Sequence, residues 1–287
     1  MTSHAFQRSQ RWPPDHALTF PLMVDVHGFL RNADAPWNEF SSQDYWSRNY
    51  RELQAEDQEI IRCVSRFFAA ALAGRPRVRQ AIDVGSGANL YPALLMLPWT
   101  EKILLTDLSA SNVSWLRSQF DNDGDDTAWE WRPFWQESRQ VDAYNRISEP
   151  CKHLKATCVS GRSGAGVEQR SVFDLPAAKW DLGTMFFVAE SITEDPVEFR
   201  AAVARFVGAL KPGAPFAAAF MAGSDGYRVA ETPFPAVPIT SADVWELLTG
   251  LGVVEMSVEM VKTEHRVRDG YAGMMVATGF AYGQRGQ

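Results

Sequence analysis

Residues 81–97 read AIDVGSGANLYPALLML, and the fold class can be predicted from this stretch. A short apolar run carries one acid, Asp83, and two glycines, Gly85 and Gly87, follow before a helix-like apolar stripe begins. A strand, a glycine turn and a helix in this order are typical of the first unit of an open α/β sheet. Because ligands of such sheets bind at the carboxyl ends of the strands, we place the ligand site at these glycines.

The rest of the chain continues this alternation of short apolar strands and amphipathic helices. Strands are predicted in KILLTDLS, KWDLGTMFFVAE, APFAAAFMA, VVEMSVEMVK and YAGMMVATGFAYG, and helices in SNVSWLRSQF, DPVEFRAAVARFVGAL and TSADVWELLTGLG. The last two strands have no helix between them, which predicts an antiparallel hairpin. The pattern predicts an α/β, Rossmann-like fold with a mostly parallel seven-stranded sheet, an antiparallel C-terminal hairpin and a helical N-terminal cap.

The domain organisation follows from the same reading. Residues 1–75 are expected to form the helical cap, and residues 76–287 the ligand-binding part of the same domain, with an insertion at about 121–170. The cap carries a helical apolar stripe that Gly74 ends. The insertion contains the acidic loop DNDGDD, the aromatic cluster WEWRPFW and the link SGRSGAG. We interpret Trp129, Trp131 and Trp135 of this cluster as edge-strand packing.

Composition limits the classes of partner. The 287-residue chain has a net charge of -7, which disfavours binding to nucleic acids or anionic membranes and favours a small-molecule partner. Three scattered cysteines without a CxxC pair favour a reducing compartment and no metal site. The N-terminus lacks the apolar region of a signal peptide. We expect a cytoplasmic protein that is a monomer or a weak dimer.

The identity of the cofactor depends on what surrounds the glycines. A dinucleotide fingerprint requires a third glycine, and Leu90 stands there instead. Asp83 would repel a pyrophosphate but could help to hold the ammonium group of a methionine moiety. Asp107 follows the second strand about twenty residues later, where an acid accepts both hydroxyls of a ribose. Together with Gly85 and Gly87, these acids predict S-adenosylmethionine rather than a nicotinamide or flavin cofactor.

Longer motifs support a more specific reading. The stretches FLRNADAP, DYWSRNYRELQAEDQ, IDVGSGANLYP, TDLSASN, FVAESITEDPVEF and GYRVAETPFPAVPI resemble the family of nicotinamide, phenylethanolamine and thioether amine N-methyltransferases. The resemblance covers roughly residues 29–280. It implies a class I methyltransferase that uses S-adenosylmethionine and releases S-adenosylhomocysteine.

The resemblance also implies roles for individual residues. Tyr45 and Tyr50 would close over the methionine part of the cofactor, and Tyr91 would line its other side with Gly85. Asn112 would flank the ribose near the adenine, and Val172 would contact the adenine ring. The full set of expected cofactor-binding residues is Tyr45, Tyr50, Asp83, Gly85, Gly87, Tyr91, Asp107, Leu108, Asn112, Ser171, Val172 and Phe186.

Three positions depart from the family pattern. Ser171 replaces an acid that accepts the adenine amino group, a contact that Asp174 or the backbone would have to supply. Asn49 replaces a second tyrosine of the N-terminal motif. Phe220 replaces an acid that some members place after the fifth strand. The last change removes an anionic anchor from the expected acceptor pocket and weakens the inference of a cationic amine or pyridine substrate.

The acceptor side rests on three candidate catalytic residues. Glu190 and Asp269 match acids of the family's acceptor pocket, and Tyr227 matches a pocket tyrosine. Phe186 and Phe187 favour an apolar cavity for a flat aromatic substrate. A carboxylate there would accept a proton or anchor an ammonium group.

Several functions remain open on the sequence alone. The reading favours methyl transfer to nitrogen, with carbon methylation of an indole-like ring, in which Glu190 would be the base, and oxygen methylation as alternatives. Rival classes are a nicotinamide oxidoreductase, which Leu90 and Asp83 disfavour, and a non-catalytic protein that binds S-adenosylmethionine.

Overall fold

The computed structural model describes residues 28–121, 129–159, 166–261 and 271–281. Its helices are α1 (Ser42–Asn49), α2 (Ala55–Ala71), α3 (Tyr91–Met96), α4 (Ala110–Ser118), α5 (Arg132–Ser138), α6 (Asp142–Asn145), α7 (Pro150–Val159), α8 (Pro196–Ala209) and α9 (Ser241–Gly250). Its strands are β1 (Ala81–Val84), β2 (Ile103–Asp107), β3 (Gly166–Gln169), β4 (Leu182–Phe186), β5 (Pro215–Ala222), β6 (Tyr227–Val229), β7 (Thr232–Phe234), β8 (Val254–Val261) and β9 (Gly273–Phe280).

Seven strands form one sheet in the order β3-β2-β1-β4-β5-β9-β8. Strands β1 to β5 are parallel, and β9 runs antiparallel to both of its neighbours. The predicted Rossmann-like fold with an antiparallel C-terminal hairpin is therefore confirmed. The strand order reverses between β1 and β4, which opens a crevice at the carboxyl ends of these strands, where open α/β sheets bind their ligands.

The core lies on both faces of the sheet. Strands β1, β2, β4 and β5 are buried along their whole length, as the apolar runs of a doubly covered parallel sheet require. Helix α2 contributes Ile60, Ile61, Val64 and Phe68, each without exposed surface. This row is the apolar stripe that the sequence predicts for the cap.

The described part of the cap is helical, as its sequence predicts. Two helices, α1 and α2, are separated by residues 50–54. Ser41 caps α1 by accepting a hydrogen bond from the backbone N–H of Asp44. Residues 1–27 of the expected cap lie outside the described residues. None of the described helices has the length and apolarity needed to cross a membrane.

The region between β2 and β4 corrects the sequence analysis most. The interpretation of the tryptophan cluster as edge-strand packing is wrong, because Trp131 precedes α5 directly and Trp135 lies within it, both buried. Strand β3, which the sequence analysis missed, pairs with β2 at the edge of the sheet. The small hairpin of β6 and β7 was also missed. These three strands are only three or four residues long and lack a clear apolar period, so no sequence pattern predicts them.

Candidate functional site

A cavity of roughly 730 Å³, including its open mouth, lies at the carboxyl ends of β1, β2 and β4. Its size is within the range of small-molecule and cofactor sites. Ten of the twelve expected cofactor residues line it, namely Tyr45, Tyr50, Gly85, Gly87, Asp107, Leu108, Asn112, Ser171, Val172 and Phe186. Asp83 and Tyr91 are not among its lining residues.

The glycine loop forms the floor of the cavity. Gly85 and Gly87 have φ angles of 64° and 56°, in the left-handed region that side chains disfavour. A Cβ atom on Gly85 would also lie 2.5 Å from Cγ2 of Val188. Position 85 therefore needs glycine for two reasons, its backbone conformation and its contact with the segment after β4.

Asp107, the last residue of β2, joins the glycine loop to α4. Its Oδ2 accepts a hydrogen bond of 2.8 Å from the backbone N–H of Gly87. Its Oδ1 accepts bonds from the N–H of Ser109, at 2.8 Å, and from Nδ2 of Asn112, at 3.1 Å. The side chain is buried, which raises the pKa of the carboxyl, and these hydrogen bonds oppose that shift. The carboxylate is thus held in one orientation at the cavity wall.

Asp83 lies beneath the glycine loop rather than in the cavity wall. Its Oδ1 accepts a hydrogen bond of 2.6 Å from Oγ1 of Thr184 on β4. Its Oδ2 is buried and has no hydrogen-bond partner within the described part of the chain. Burial raises the pKa of Asp83 to about 7, with Asp107 adding to the increase. Asp83 is not among the lining residues of the cavity, and its expected role toward a methionine ammonium group, directly or through water, stays a prediction.

Tyr91 supports the cavity from behind. It stacks on Phe134 of α5, with ring centroids 5.5 Å apart, and meets Tyr50 edge-on at 6.0 Å. The ring centroid of Tyr50 in turn lies 6.0 Å from that of Tyr45. Tyr50 lines the cavity and Tyr91 lies outside its wall. The ring contact with Tyr91 therefore holds Tyr50 in place.

The segment before α1 closes the top of the cavity. Ser42 Oγ donates a hydrogen bond of 2.7 Å to Oδ1 of Asn112, and Ser111 Oγ donates one of 2.6 Å to the carbonyl of Phe40. Trp37 and Phe40, whose roles were not predicted from the sequence, also line the cavity. No local pattern marks them, because their role depends on where the segment crosses the sheet.

The same segment is tied to the opposite rim. The backbone N–H of Leu30 donates to Oε2 of Glu194, at 2.9 Å, and Arg31 forms an ion pair of 3.4 Å with Asp195. The N–H of Asn32 donates to Oε2 of Glu198, also at 2.9 Å. The segment is therefore anchored on both sides of the crevice.

The expected adenine end lies at the turn after β3. Ser171 and Val172 both line the cavity. Ser171 Oγ accepts a hydrogen bond from the N–H of Phe173, so it caps the short turn Val172–Asp174. Asp174, which the sequence analysis offered as a substitute for the missing acid, is not among the lining residues, whereas Arg170 is.

The three candidate catalytic residues are placed in three different ways. Tyr227 lines the cavity and stacks on Phe234 at 5.5 Å. Asp269 lies outside the described residues. Glu190 has no exposed surface and is not in the cavity wall; its Oε1 accepts hydrogen bonds from Ser191 Oγ and from the N–H of Met221.

Glu190 therefore braces the end of β5. It does not end β4, as the sequence suggests, but lies in the short turn Ala189–Ser191. Strand β4 stops earlier because Phe187 has a φ of 60°. This conformation costs an aromatic residue about 1 to 3 kcal/mol. Such strain commonly marks functional sites, and Phe187 lines the cavity.

Comparisons with known proteins gave a family match and matches to solved structures. A sequence profile of the NNMT/PNMT/TEMT family matches residues 29–278. Among solved structures, magnesium protoporphyrin IX methyltransferase (ChlM) from Synechocystis with bound SAH is similar over 85% of this chain and 95% of its own, with a TM-score of 0.51 and 12% identity. The 1,6-didemethyltoxoflavin-N1-methyltransferase from Burkholderia thailandensis is 16% identical over 84% of this chain and 87% of its own, with a TM-score of 0.45. A comparison with curated proteins gave no match.

Proposed function

Because this chain belongs to the NNMT/PNMT/TEMT family and is a class I S-adenosylmethionine-dependent methyltransferase, we propose that it methylates a small aromatic or heteroaromatic molecule, with nitrogen as the favoured site. The family match confirms the enzyme class and the cofactor expected from the sequence. The acceptor and the methylated atom belong to the proposal, as do the individual roles of the site residues.

One observation carries the proposal: Asp107 and the glycine loop meet at the wall of a cavity lined with aromatic rings. The Asp107 carboxylate uses three hydrogen bonds to hold its orientation. A carboxylate has about four lone-pair sites, so capacity remains for a sugar hydroxyl. Gly85 and Gly87 lack side chains that would fill the floor. These features fit the ribose and methionine parts of S-adenosylmethionine.

Asp83 fits the same cofactor through its charge rather than by contact. A buried carboxyl with one oxygen unpartnered in the described structure is destabilised as an anion. A cation nearby would offset that cost, since Coulomb attraction is strong where water is excluded. We therefore assign Asp83 a supporting role, in which it favours the positively charged methionine end above the loop.

The cofactor supplies an electrophilic methyl group on a sulfonium sulfur. The chain must hold the acceptor in line with that methyl group and exclude water. Tyr45, Tyr50, Phe186 and Phe187 provide aromatic faces around the centre of the cavity. Such faces attract a sulfonium cation and also accept a flat substrate ring. Residues 1–75 act in this proposal as the cap over the acceptor.

The alternative of carbon methylation with Glu190 as the base gains no support from the geometry. Glu190 is fully buried and bound to the backbone of Met221. A general base must come within hydrogen-bond reach of the proton that it removes. Nitrogen therefore remains the favoured acceptor atom.

The experiment combines binding and turnover. Isothermal titration calorimetry with S-adenosylhomocysteine is expected to show one site per chain. Incubation with S-adenosylmethionine and a panel of aromatic amines, N-heterocycles, indoles and phenols, followed by mass spectrometry, should then show a gain of one methyl group on a nitrogen-containing member. Products only among phenols, or only carbon-methylated indoles, would overturn the choice of nitrogen.

A further inference from the structure

A second cavity adjoins the first on the side of the cap. It shares Tyr45, Tyr50 and Phe187 with the cofactor cavity. Its other walls come from the first turn of α2 and from the ends of β5 and β9, which contribute Met221 and Met274. A molecule in this space would therefore lie next to whatever occupies the cofactor cavity.

The unusual feature of the second cavity is a buried acid. Asp57, in the first turn of α2, lines the cavity and is only 3% exposed. Its Oδ1 has no hydrogen-bond partner within the described structure. Burial raises the pKa of the Asp57 carboxyl to about 7. A hydrogen bond with the Tyr91 side chain opposes this increase, and the negative charge of Glu56 adds to it. An acid that only supported the fold would be expected to have both oxygens satisfied.

The surroundings of Asp57 favour a cation. The titratable and charged side chains around it are Glu56 of the same turn, Tyr91 of α3, Tyr45 and Arg48 of α1, and Tyr50. Four of these five groups are acidic or aromatic, and the one base among them, Arg48, is exposed. A buried carboxylate beside aromatic faces stabilises a positively charged nitrogen by ion pairing and by cation–π attraction.

We propose that the second cavity is the acceptor subsite and that Asp57 binds a protonated amino group of the acceptor. This inference rests on the proposed function, because it assumes that the neighbouring cavity holds S-adenosylmethionine. It moves the anionic anchor from Glu190 to Asp57 on helix α2, and so supplies the acid that Phe220 removes from the family's acceptor pocket. It also makes the acceptor an amine-bearing aromatic molecule, whichever of its atoms receives the methyl group.

The test compares two probes of nearly the same shape. Tryptamine carries an ammonium group where tryptophol carries a neutral hydroxyl. Titration of each into the wild type saturated with S-adenosylhomocysteine at pH 8 is expected to show at least about tenfold tighter binding of tryptamine. Asp57→Asn should reduce this preference to less than about threefold.

Asp142→Asn is the matched control, because Asp142 is an exposed acid in the first turn of α6 and lines none of the described cavities. It should keep the wild-type preference. Equal binding of the two probes by the wild type, no binding of tryptamine, or a full preference retained by Asp57→Asn would overturn the inference. These outcomes leave binding of S-adenosylhomocysteine intact, whereas loss of that binding in the wild type would contradict the proposed function itself.

A measurement on the wild type covers the case in which Asp57→Asn fails to fold. Tryptamine keeps its charge between pH 5.5 and 8, while Asp57 loses its charge as the pH falls. The affinity for tryptamine should drop at least about fivefold over this range, and that for tryptophol should stay constant. Parallel pH curves for the two probes would contradict the inference.

Discussion

The two halves of the site are built by different means. The centre of the cofactor half is formed by β1, β2 and the loops that follow them, so that Gly85, Gly87 and Asp107 come from 23 neighbouring residues of sequence. The acceptor half joins α1, α2, the turn after β4, the ends of β5 and β9, and the hairpin of β6 and β7. Backbone geometry fixes the first half, whereas packing between distant segments fixes the second.

This difference has a functional meaning. A cofactor shared by many enzymes needs the same backbone contacts, and a short motif at the end of a strand supplies them. An acceptor that differs between enzymes is bound by side chains on elements that can vary without disturbing the sheet. Four substitutions at Gly85, Asp83, Asp107 and Glu190 test this division, and their expected effects decrease in that order.

The largest effect is expected from Gly85→Ala. The new Cβ would lie 2.5 Å from Val188, at a backbone φ of 64°, and should lower the free energy of unfolding by roughly 3 to 5 kcal/mol. Gly208→Ala is the control, because a Cβ at that position in α8 meets no atom of the described residues within 4 Å. Urea unfolding measures both. A Gly85→Ala variant as stable as Gly208→Ala would show that the loop is not fixed by its backbone.

Next comes the pH dependence of Asp83→Asn. In the folded state the pKa of Asp83 is about 7, above its ordinary value of 3.8. Between about pH 4 and 7 the folded protein therefore keeps a proton on Asp83 that the unfolded chain releases, and the free energy of unfolding falls as the pH rises. Asparagine keeps the acceptor for Thr184 without the charge. Relative to the wild type, the variant should gain on the order of 3 kcal/mol between pH 4 and pH 8. Thermal unfolding of both proteins at the two pH values gives the comparison, and a pH-independent difference would contradict the buried charge.

Asp107→Ala probes the cofactor half directly. It removes the carboxylate that we assign to the ribose and should weaken binding of S-adenosylhomocysteine by about 1 to 3 kcal/mol. Calorimetry measures this change, with Asp142→Asn again as the control. Unchanged affinity in a folded variant would remove Asp107 from the cofactor site.

The smallest effect is expected from Glu190→Gln. The glutamine carbonyl can still accept the hydrogen bond from Met221, so the free energy of unfolding should fall by only about 1 kcal/mol. Turnover should fall no more than the folded fraction requires, because Glu190 lies outside the cavity. A turnover loss of a hundredfold or more with normal cofactor affinity would return Glu190 to the acceptor half as a catalytic residue.

The sequence was informative where a residue's role depends on its neighbours in the chain. The order of strands and helices, the glycine turn and the acid ending β2 could all be predicted, because each follows from local periodicity or from the spacing between consecutive strands. The sequence predicted that Asp83 lies at the end of β1, but not the direction in which its side chain points. Strand pairing with β4 places Thr184 against its carboxyl, and sequence spacing does not show which side of a strand end faces the ligand.

The acceptor half was harder to predict for a physical reason. Asp57 reads as an ordinary acid in the first turn of a helix, where negative charge is common. Only the packing of α2 against β5 and β9 buries it beside Phe187 and Met274. Trp37 and Phe40 likewise gain their place because the segment before α1 is tied to both rims of the crevice. Glu190 is the opposite of Asp57: its motif predicted a place in the acceptor pocket, but its side chain binds the backbone of β5 instead.

The most direct test of the central claim is a crystal structure with S-adenosylhomocysteine bound. The account predicts ribose hydroxyls within hydrogen-bond distance of the Asp107 carboxylate, with the ligand lying along the backbone of Gly85 and Gly87. A ligand bound elsewhere, or one whose ribose does not touch Asp107, would contradict it.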